Sequence, residues 1–148
     1  MTLRARTVSA LLIAWSASVA QAASWNGIEP LKSRRADVVR ILGNPTSENP
    51  SDASMRFATR DGVVIISLVT RPFARQKGWP SALEGTVVQI LLHHENSKET
   101  PRSLRVEGNP RFDKDVRGEL VFYRNRKEGI SRIFKAGKLA TSAGAAAI

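Results

Sequence analysis

The segment MRFATRDGVVIISLV, residues 55–69, decides the fold class. Runs of β-branched and aromatic residues stand on both sides of Asp61-Gly62, a dipeptide that readily takes the positive φ values of a tight type I′ turn. The segment therefore predicts a β-hairpin with strands at 55–60 and 63–69. A third strand is expected at 86–94, which is rich in valine, isoleucine and leucine.

A short helix is predicted before the hairpin. Val38, Ile41 and Leu42 have the i, i+3, i+4 spacing of an apolar helix face. Ser33 is positioned to cap the first turn, and Gly43-Asn44-Pro45 ends the pattern. One face of this helix is therefore expected to pack on the sheet.

The rest of the chain predicts loops and an antiparallel meander. Residues 71–85 are expected to form a long loop and 95–101 a connector, while 101–107 fits either a helix beginning at Pro101 or a short strand. Further strands are expected at 120–124 and 130–136 and at Leu139-Ala140. The small-residue tail 141–148 is expected to fray.

A loose internal repeat accompanies this layout. Residues 39–45 (VRILGNP) recur as 104–110 (LRVEGNP), and each copy precedes an aromatic strand residue, Phe57 or Phe122. The halves 26–95 and 96–140 are either a tandem duplication or a chance similarity. The expected fold class is α+β, with one short helix, or two if the repeat is real, on a small antiparallel sheet.

The first 22 residues have the pattern of a secretory signal peptide. Arg4 and Arg6 precede an apolar run at 8–19, and Ala20-Gln21-Ala22 follows with small residues at the cleavage positions. A membrane span needs ~20 apolar residues, more than this run offers. We therefore expect cleavage, a single domain at 23–140 without a transmembrane segment, and a periplasmic or secreted location.

The charge of the chain indicates which partners to expect, and its lack of cysteine bears on disulfides and lipid attachment. Without Arg4 and Arg6, 21 basic residues face 13 acidic ones, which gives the mature chain a formal charge of +8 and favours anionic partners. For an exported chain these are an acidic protein surface, lipopolysaccharide, lipid headgroups or cell-wall polymer rather than nucleic acid. The chain has no cysteine, so neither a disulfide nor a lipoprotein anchor is expected.

Candidate catalytic groups are few. His93-His94-Glu95 contains metal-ligand residue types, but neighbouring strand residues point to opposite faces, so the two imidazoles do not easily share one ion. Three acidic residues alternate with basic ones in an apparent loop: Asp113, Asp115 and Glu119. We therefore predict no catalytic residues, no metal and no cofactor. The alternative is a small metal-dependent hydrolase that uses His93 or His94.

The 71–85 segment is the candidate binding site. Its aromatic and basic side chains are the residue types enriched at interaction hot spots, and they are Arg71, Phe73, Arg75, Lys77 and Trp79. The competing interpretation is that the two aromatic side chains fold back over the sheet. The predicted function is an exported, non-enzymatic binding or assembly module of unknown specific partner.

The motif Gly27-Ile28, Pro30-Leu31, Ser33-x-Arg35-x-Asp37-Val38 and Leu42-Gly43-x-Pro45 resembles a family of uncharacterised exported bacterial proteins. That resemblance implies export and fold but no activity. A capped helix ending in Leu-Gly-x-Pro before a strand pair is more distantly similar to SmpA/BamE-type outer-membrane assembly lipoproteins and to the tandem-repeat β-lactamase inhibitor protein. This similarity implies a binding module built from helices on an antiparallel sheet.

Overall fold

The computed structural model describes residues 24–146, and the predicted signal peptide at 1–22 lies outside them. The described chain forms one eight-stranded antiparallel sheet in the order β1-β2-β3-β4-β8-β7-β6-β5. Its strands are β1 (Ser47–Asn49), β2 (Ser54–Thr59), β3 (Gly62–Leu68), β4 (Val87–His94), β5 (Asp113–Arg117), β6 (Leu120–Asn125), β7 (Ile130–Lys135) and β8 (Lys138–Ala145). The helices are α1 (Arg35–Leu42) and α2 (Arg71–Lys77), with a 3-10 turn at Ser81–Leu83. The α+β class is confirmed, but the sheet is larger than expected.

The hairpin predicted at 55–69 forms, but its two-residue turn is Arg60-Asp61, one residue earlier than predicted, and Asp61 does not have the positive φ of a type I′ turn. β2 pairs with β3 across this turn, with Phe57 opposite Val64 and Thr59 opposite Gly62. Gly62 has φ +137, which favours glycine. The expected third strand is β4, which pairs with β3 along its length.

Helix α1 forms at the predicted place, but its N-cap is Arg34 rather than Ser33. The Ser33 hydroxyl instead accepts a hydrogen bond from the Glu29 amide at 2.9 Å. The Asp37 carboxylate accepts the Arg34 amide at 3.0 Å, which together with Arg40 lowers the pKa of Asp37. The helix ends at Gly43, at φ +82, as the sequence predicts.

Two hydrophobic clusters lie on the same face of the sheet. Phe57, Val64, Ile66 and Ile90 pack beneath Val38 of α1 in the first. In the second, a run of turns at 100–112 contributes side chains that pack against β6, β7 and β8, and the cluster comprises Val106, Tyr123, Phe134 and Leu139 with Leu104, Phe112 and Val121 at its edge. The register places both clusters on one side, because cross-strand partners share a face.

Further sequence expectations are wrong. Residues 71–85 hold helix α2 and a 3-10 turn instead of an open loop, since Thr70 accepts the Phe73 amide and Gly78 ends the helix at φ +66. Residues 101–107 form successive turns, neither helix nor strand. The expected frayed tail from 141 continues strand β8 to Ala145, because it pairs with β4 on one side and β7 on the other.

The sheet divides into two four-stranded meanders joined by the β4–β8 pair. α1 covers the first meander, whereas turns at 100–112 cover the second, so the second helix of a helix-for-helix duplication is not seen in residues 24–146. The two halves therefore remain a hypothesis. No helix in this part of the chain has both the length and the hydropathy to span a membrane.

Candidate functional site: the open face of the sheet

One face of the sheet is left without a covering layer by residues 24–146. α1 and the turns at 100–112 pack on the two clusters of the opposite face, and α2 lies in the connection between the ends of β3 and β4. We call the side without a layer the open face. Its side chains are set by the strand register, which alternates along every strand.

The middle of the open face is mostly apolar. One row across the sheet runs from Ile65 on β3 through Leu91 and Ala143 to Ser131. The next row runs from Val63 through His93 and Thr141 to Ile133 and Phe122. The hydrophobic side chains in these rows are half-buried by their neighbours and keep part of their surface in solvent. The face is thus a broad, partly hydrophobic surface on a rigid sheet.

Cations stand around this apolar centre. Phe122 carries two guanidinium groups over its ring, Arg124 at 4.9 Å and Arg117 at 5.4 Å from the centroid. Arg56 lies on the same face of β2, opposite Ile65. Stacked aromatic and arginine side chains are enriched at the energetic centres of protein interfaces. The Phe122 cluster is therefore the strongest hot-spot candidate on the open face.

The acidic residues of the 113–119 segment are structural surface groups. The expected loop is wrong: Asp113 and Asp115 lie on edge strand β5. The Asp115 carboxylate is 2.8 Å from Arg117 Nε and 3.9 Å from Arg124 Nη1. Glu119 lies in the β5–β6 turn, 4.0 Å from Lys135. These carboxylates pair with cations across strands and turns instead of converging on a pocket.

The two histidines lie on opposite faces, as the strand pattern predicts. His93 Nδ1 is 3.3 Å from Thr141 Oγ1 on the open face. His94 Nε2 is 2.8 Å from Ser142 Oγ on the helix-bearing face. Burial lowers the pKa of His94, and the nearby Arg132 guanidinium lowers it further. Within residues 24–146 no group of three potential metal ligands forms.

Ser142 is poorly placed to act as a nucleophile despite its bond to His94. It is 7% exposed and sits inside β8, between β4 and β7. Backbone amides in a central strand already bond to neighbouring strands, so they do not supply an oxyanion hole. The His94–Ser142 pair is therefore best understood as a satisfied polar contact between the two hydrophobic clusters.

The five predicted binding residues are brought together on and beside α2. Phe73 and Trp79 contact each other edge to face at 5.5 Å between centroids, and Lys77 Nζ lies 5.9 Å from the Phe73 ring. Arg71 Nε is 3.2 Å from Glu84 Oε2. Arg75 is exposed, whereas the two aromatic side chains are half-buried. We call this group the α2 cluster.

Arg34 fixes the α2 cluster to the rest of the molecule. Its guanidinium donates hydrogen bonds to the carbonyls of Glu84 at 3.0 Å and Ala82 at 2.9 Å. Its backbone also forms a bridge with Thr86. The α2 cluster is thus held in place by the residue that caps α1.

The open face is not evident from the sequence because β1 and β5 were not recognised and β8 was expected only at Leu139-Ala140. β5 has a charged sequence, DKDVR, and β8 ends in alanine and serine, which have low strand propensity. The sequence signal for β5 was Gly118-Glu119, a two-residue hairpin connection with Gly118 at φ +57.

No protein-family model, curated protein or solved structure matches the chain.

Proposed function

We propose that this chain is an exported, non-enzymatic binding or assembly module that grips a partner of the cell envelope with the open face of its sheet. The observation that carries the proposal is the one-sided cover of an eight-stranded sheet. Export rests on the pattern at 1–22 and on the resemblance to exported proteins, and the periplasm or the extracellular space would be its place of action.

The size of the open face supports a protein-sized partner. Eight strands spaced about 4.8 Å apart and about 20 Å long give a surface of about 700 Å². A stable protein interface buries about 800 Å² on each partner. The open face is therefore large enough to serve as a complete interface, and the basic surplus of the chain favours an acidic partner.

The α2 cluster is a second candidate contact. It combines half-buried aromatic rings with exposed cations on the segment that connects β3 to β4. Replacement of Arg71, Arg75, Lys77 and Trp79 together tests it. If the variant keeps every envelope partner of the native chain, the α2 cluster has no part in binding.

The hydrolase alternative is favoured by a depression that His94 lines with Asp61, Glu95 and Glu99, but no group of three potential metal ligands forms within residues 24–146. The imidazoles contact hydroxyls on opposite faces, and the carboxylates of β5 lie four strands away from β4 in the sheet and pair with arginines. Zinc titration of the mature protein followed by thermal unfolding tests this alternative directly. A zinc-dependent rise in melting temperature that disappears in His94→Gln would revive it.

Site-specific photo-crosslinking in the protein's own cells tests the main proposal. A photoreactive amino acid at Leu91 reports on the open face, and one at Val39 on α1 reports on the covered side. We expect a discrete crosslinked protein from Leu91 and none from Val39. Crosslinks confined to Val39 would overturn the assignment of the open face.

A further inference from the structure

The open face contains a trough that runs along β8. Small side chains form its floor, because β8 contributes Thr141, Ala143 and Ala145 and β7 contributes Ser131. Larger side chains stand on both sides of it: Ile65 and Leu91 on β3 and β4, and Phe122 and Ile133 on β6 and β7. At one end the trough deepens into a depression of about 320 Å³ between Gln89 and Arg124.

The width of the trough matches one helix. At the level of Ala143 and Ser131, three interstrand spacings, about 14 Å, separate Leu91 on β4 from Arg124 on β6. Beside Thr141, Ile133 on β7 narrows the trough to two spacings, about 10 Å. An α-helix with its side chains measures about 10–12 Å across. We propose that the trough seats a single acidic, amphipathic α-helix of a protein partner. This inference rests on the proposed function and names the chemistry of its partner.

Two arginines define the charge of that helix. Arg56 and Arg124 belong to the same row, which passes through Ile65, Leu91, Ala143 and Ser131. Arg56 lies three spacings, about 14 Å, to one side of β8, and Arg124 lies two spacings, about 10 Å, to the other side. A helix lying over β8 therefore has an arginine along each flank, and glutamate or aspartate on both sides of its apolar stripe complements them.

The charges at the two flanks are available to different degrees. Arg56 is exposed and takes no part in the ion pairs formed within residues 24–146. Arg124 has Asp115 at 3.9 Å, a long contact that Arg117 shares at 2.8 Å. The partner's carboxylate thus competes with a weak contact at Arg124 and with solvent alone at Arg56.

The shape of the apolar surface favours a protein helix over a membrane. The small residues Ala143, Ala145 and Ser131 line a depression that Gln89 and Arg124 border. A membrane surface is bound by apolar side chains that protrude into the headgroup layer. A recess of this form can bury a protruding apolar ridge of a partner. An amphipathic helix that packs in a hydrophobic groove is a recurrent mode of protein recognition.

Binding of designed helical peptides tests the inference on the purified mature chain. The probe is a fluorescein-labelled peptide of about 20 residues with a leucine and alanine stripe flanked by glutamates, and its counterpart carries lysines instead. We expect saturable anisotropy changes with the glutamate peptide and at least about tenfold weaker binding of the lysine peptide. Ala143→Trp fills the floor without changing charge and is expected to weaken binding at least about tenfold.

Matched variants separate the trough from the rest of the face. Ala58→Trp adds the same bulk on the open face outside the trough, opposite Val63, and is expected to leave affinity within about twofold. Arg56→Glu with Arg124→Glu is expected to reverse the preference toward the lysine peptide. Arg102→Glu, on the covering turns and 91% exposed, is its charge control and should leave the preference unchanged. Circular dichroism and melting temperature establish that each variant is folded.

The outcomes distinguish the inference from the proposed function. Undiminished peptide binding by Ala143→Trp overturns the trough. Binding to phosphatidylglycerol vesicles that Ala143→Trp abolishes, without peptide binding, overturns the protein partner in favour of an anionic surface. Envelope crosslinks from Leu91 combined with no peptide binding would keep the open face and reject the helix, whereas the absence of such crosslinks rejects the proposed function itself.

Discussion

Gly62→Ala tests the turn that connects the two central strands of the first meander. Gly62 pairs with Thr59 on one side and His94 on the other, and its φ of +137 strains any residue with a side chain. A Cβ atom built there lies 2.0 Å from the His93 carbonyl oxygen and 3.3 Å from the Glu95 nitrogen. Since both are backbone atoms, a side-chain rotation does not relieve the collision.

The expected cost has two parts. A non-glycine residue in a sparsely populated φ region costs about 1–3 kcal/mol. Overpacking that forces a backbone shift adds about 1–3 kcal/mol. We therefore expect Gly62→Ala to lower the free energy of unfolding by about 2–6 kcal/mol, a large part of the stability of a domain of this size.

Gly137→Ala separates the two parts. Gly137 also has a positive φ, +74, but a Cβ atom there meets no atom within 4 Å. Its replacement is expected to cost only the conformational part, about 1–3 kcal/mol. Urea unfolding of the mature chain, followed by circular dichroism and tryptophan fluorescence, measures both variants. Equal losses in the two, within about 0.5 kcal/mol, would refute the role assigned to the His93 carbonyl.

Three further predictions concern the core, the buried histidine and the α2 connection. Phe134→Ala is expected to cost about 3–5 kcal/mol of unfolding free energy, because the ring is fully buried against Tyr123. Calorimetry should show that both meanders still unfold in one common transition, at a lower temperature. The pKa of His94 is lowered in the folded chain. The neutral imidazole therefore contributes its full stability above the unfolded pKa of about 6.5, and this contribution is lost as pH falls through the folded pKa. His94→Gln should thus flatten the decline of the urea midpoint below pH 7. Arg34→Ala is expected to speed amide hydrogen exchange in 71–85 and leave β6 and β7 unchanged, since it removes the hydrogen bonds to Ala82 and Glu84.

The first half of the fold was largely predictable because its local signals agree. Asp61-Gly62 between apolar runs predicted the β2–β3 hairpin, and the spacing of Val38, Ile41 and Leu42 predicted α1. The second half gave weaker signals. β5 is almost entirely charged because it is an edge strand with its side chains in solvent, so it has no hydrophobic alternation to detect.

The part of β8 after Ala140 was mistaken for a tail, because only its pairing with neighbouring strands accounts for its composition. Ala143 and Ala145 have low intrinsic strand propensity, yet β8 holds the centre of the sheet through pairs to β4 and β7. No local pattern in the sequence contains these long-range pairs. The candidate trough depends on the same strand, so it was hidden for the same physical reason.

The α2 cluster was predicted as a group, and its members do lie together. Their arrangement, however, leaves fewer of them available to a partner than the sequence suggested. The sequence suggested an exposed loop, whereas Phe73 and Trp79 use part of their surface on each other and Arg71 is paired with Glu84. These contacts stabilise α2, which at seven residues has little helical stability of its own. The residues available to a partner there are mainly Arg75 and Lys77.

In contrast to the α2 cluster, side chains of the open face are expected to contribute more to binding than to the stability of the fold. Phe122 lies on the side of β6 that faces away from the second hydrophobic cluster, whereas Tyr123 on the other side belongs to it. Its replacement by alanine should therefore cost less stability than that of Phe134, although both are large aromatic side chains in neighbouring strands. If Phe122→Ala abolishes binding of the glutamate peptide while its urea midpoint stays near that of the native chain, the ring is retained for recognition. A loss of stability as large as that of Phe134→Ala would show instead that the open face is part of the structural core.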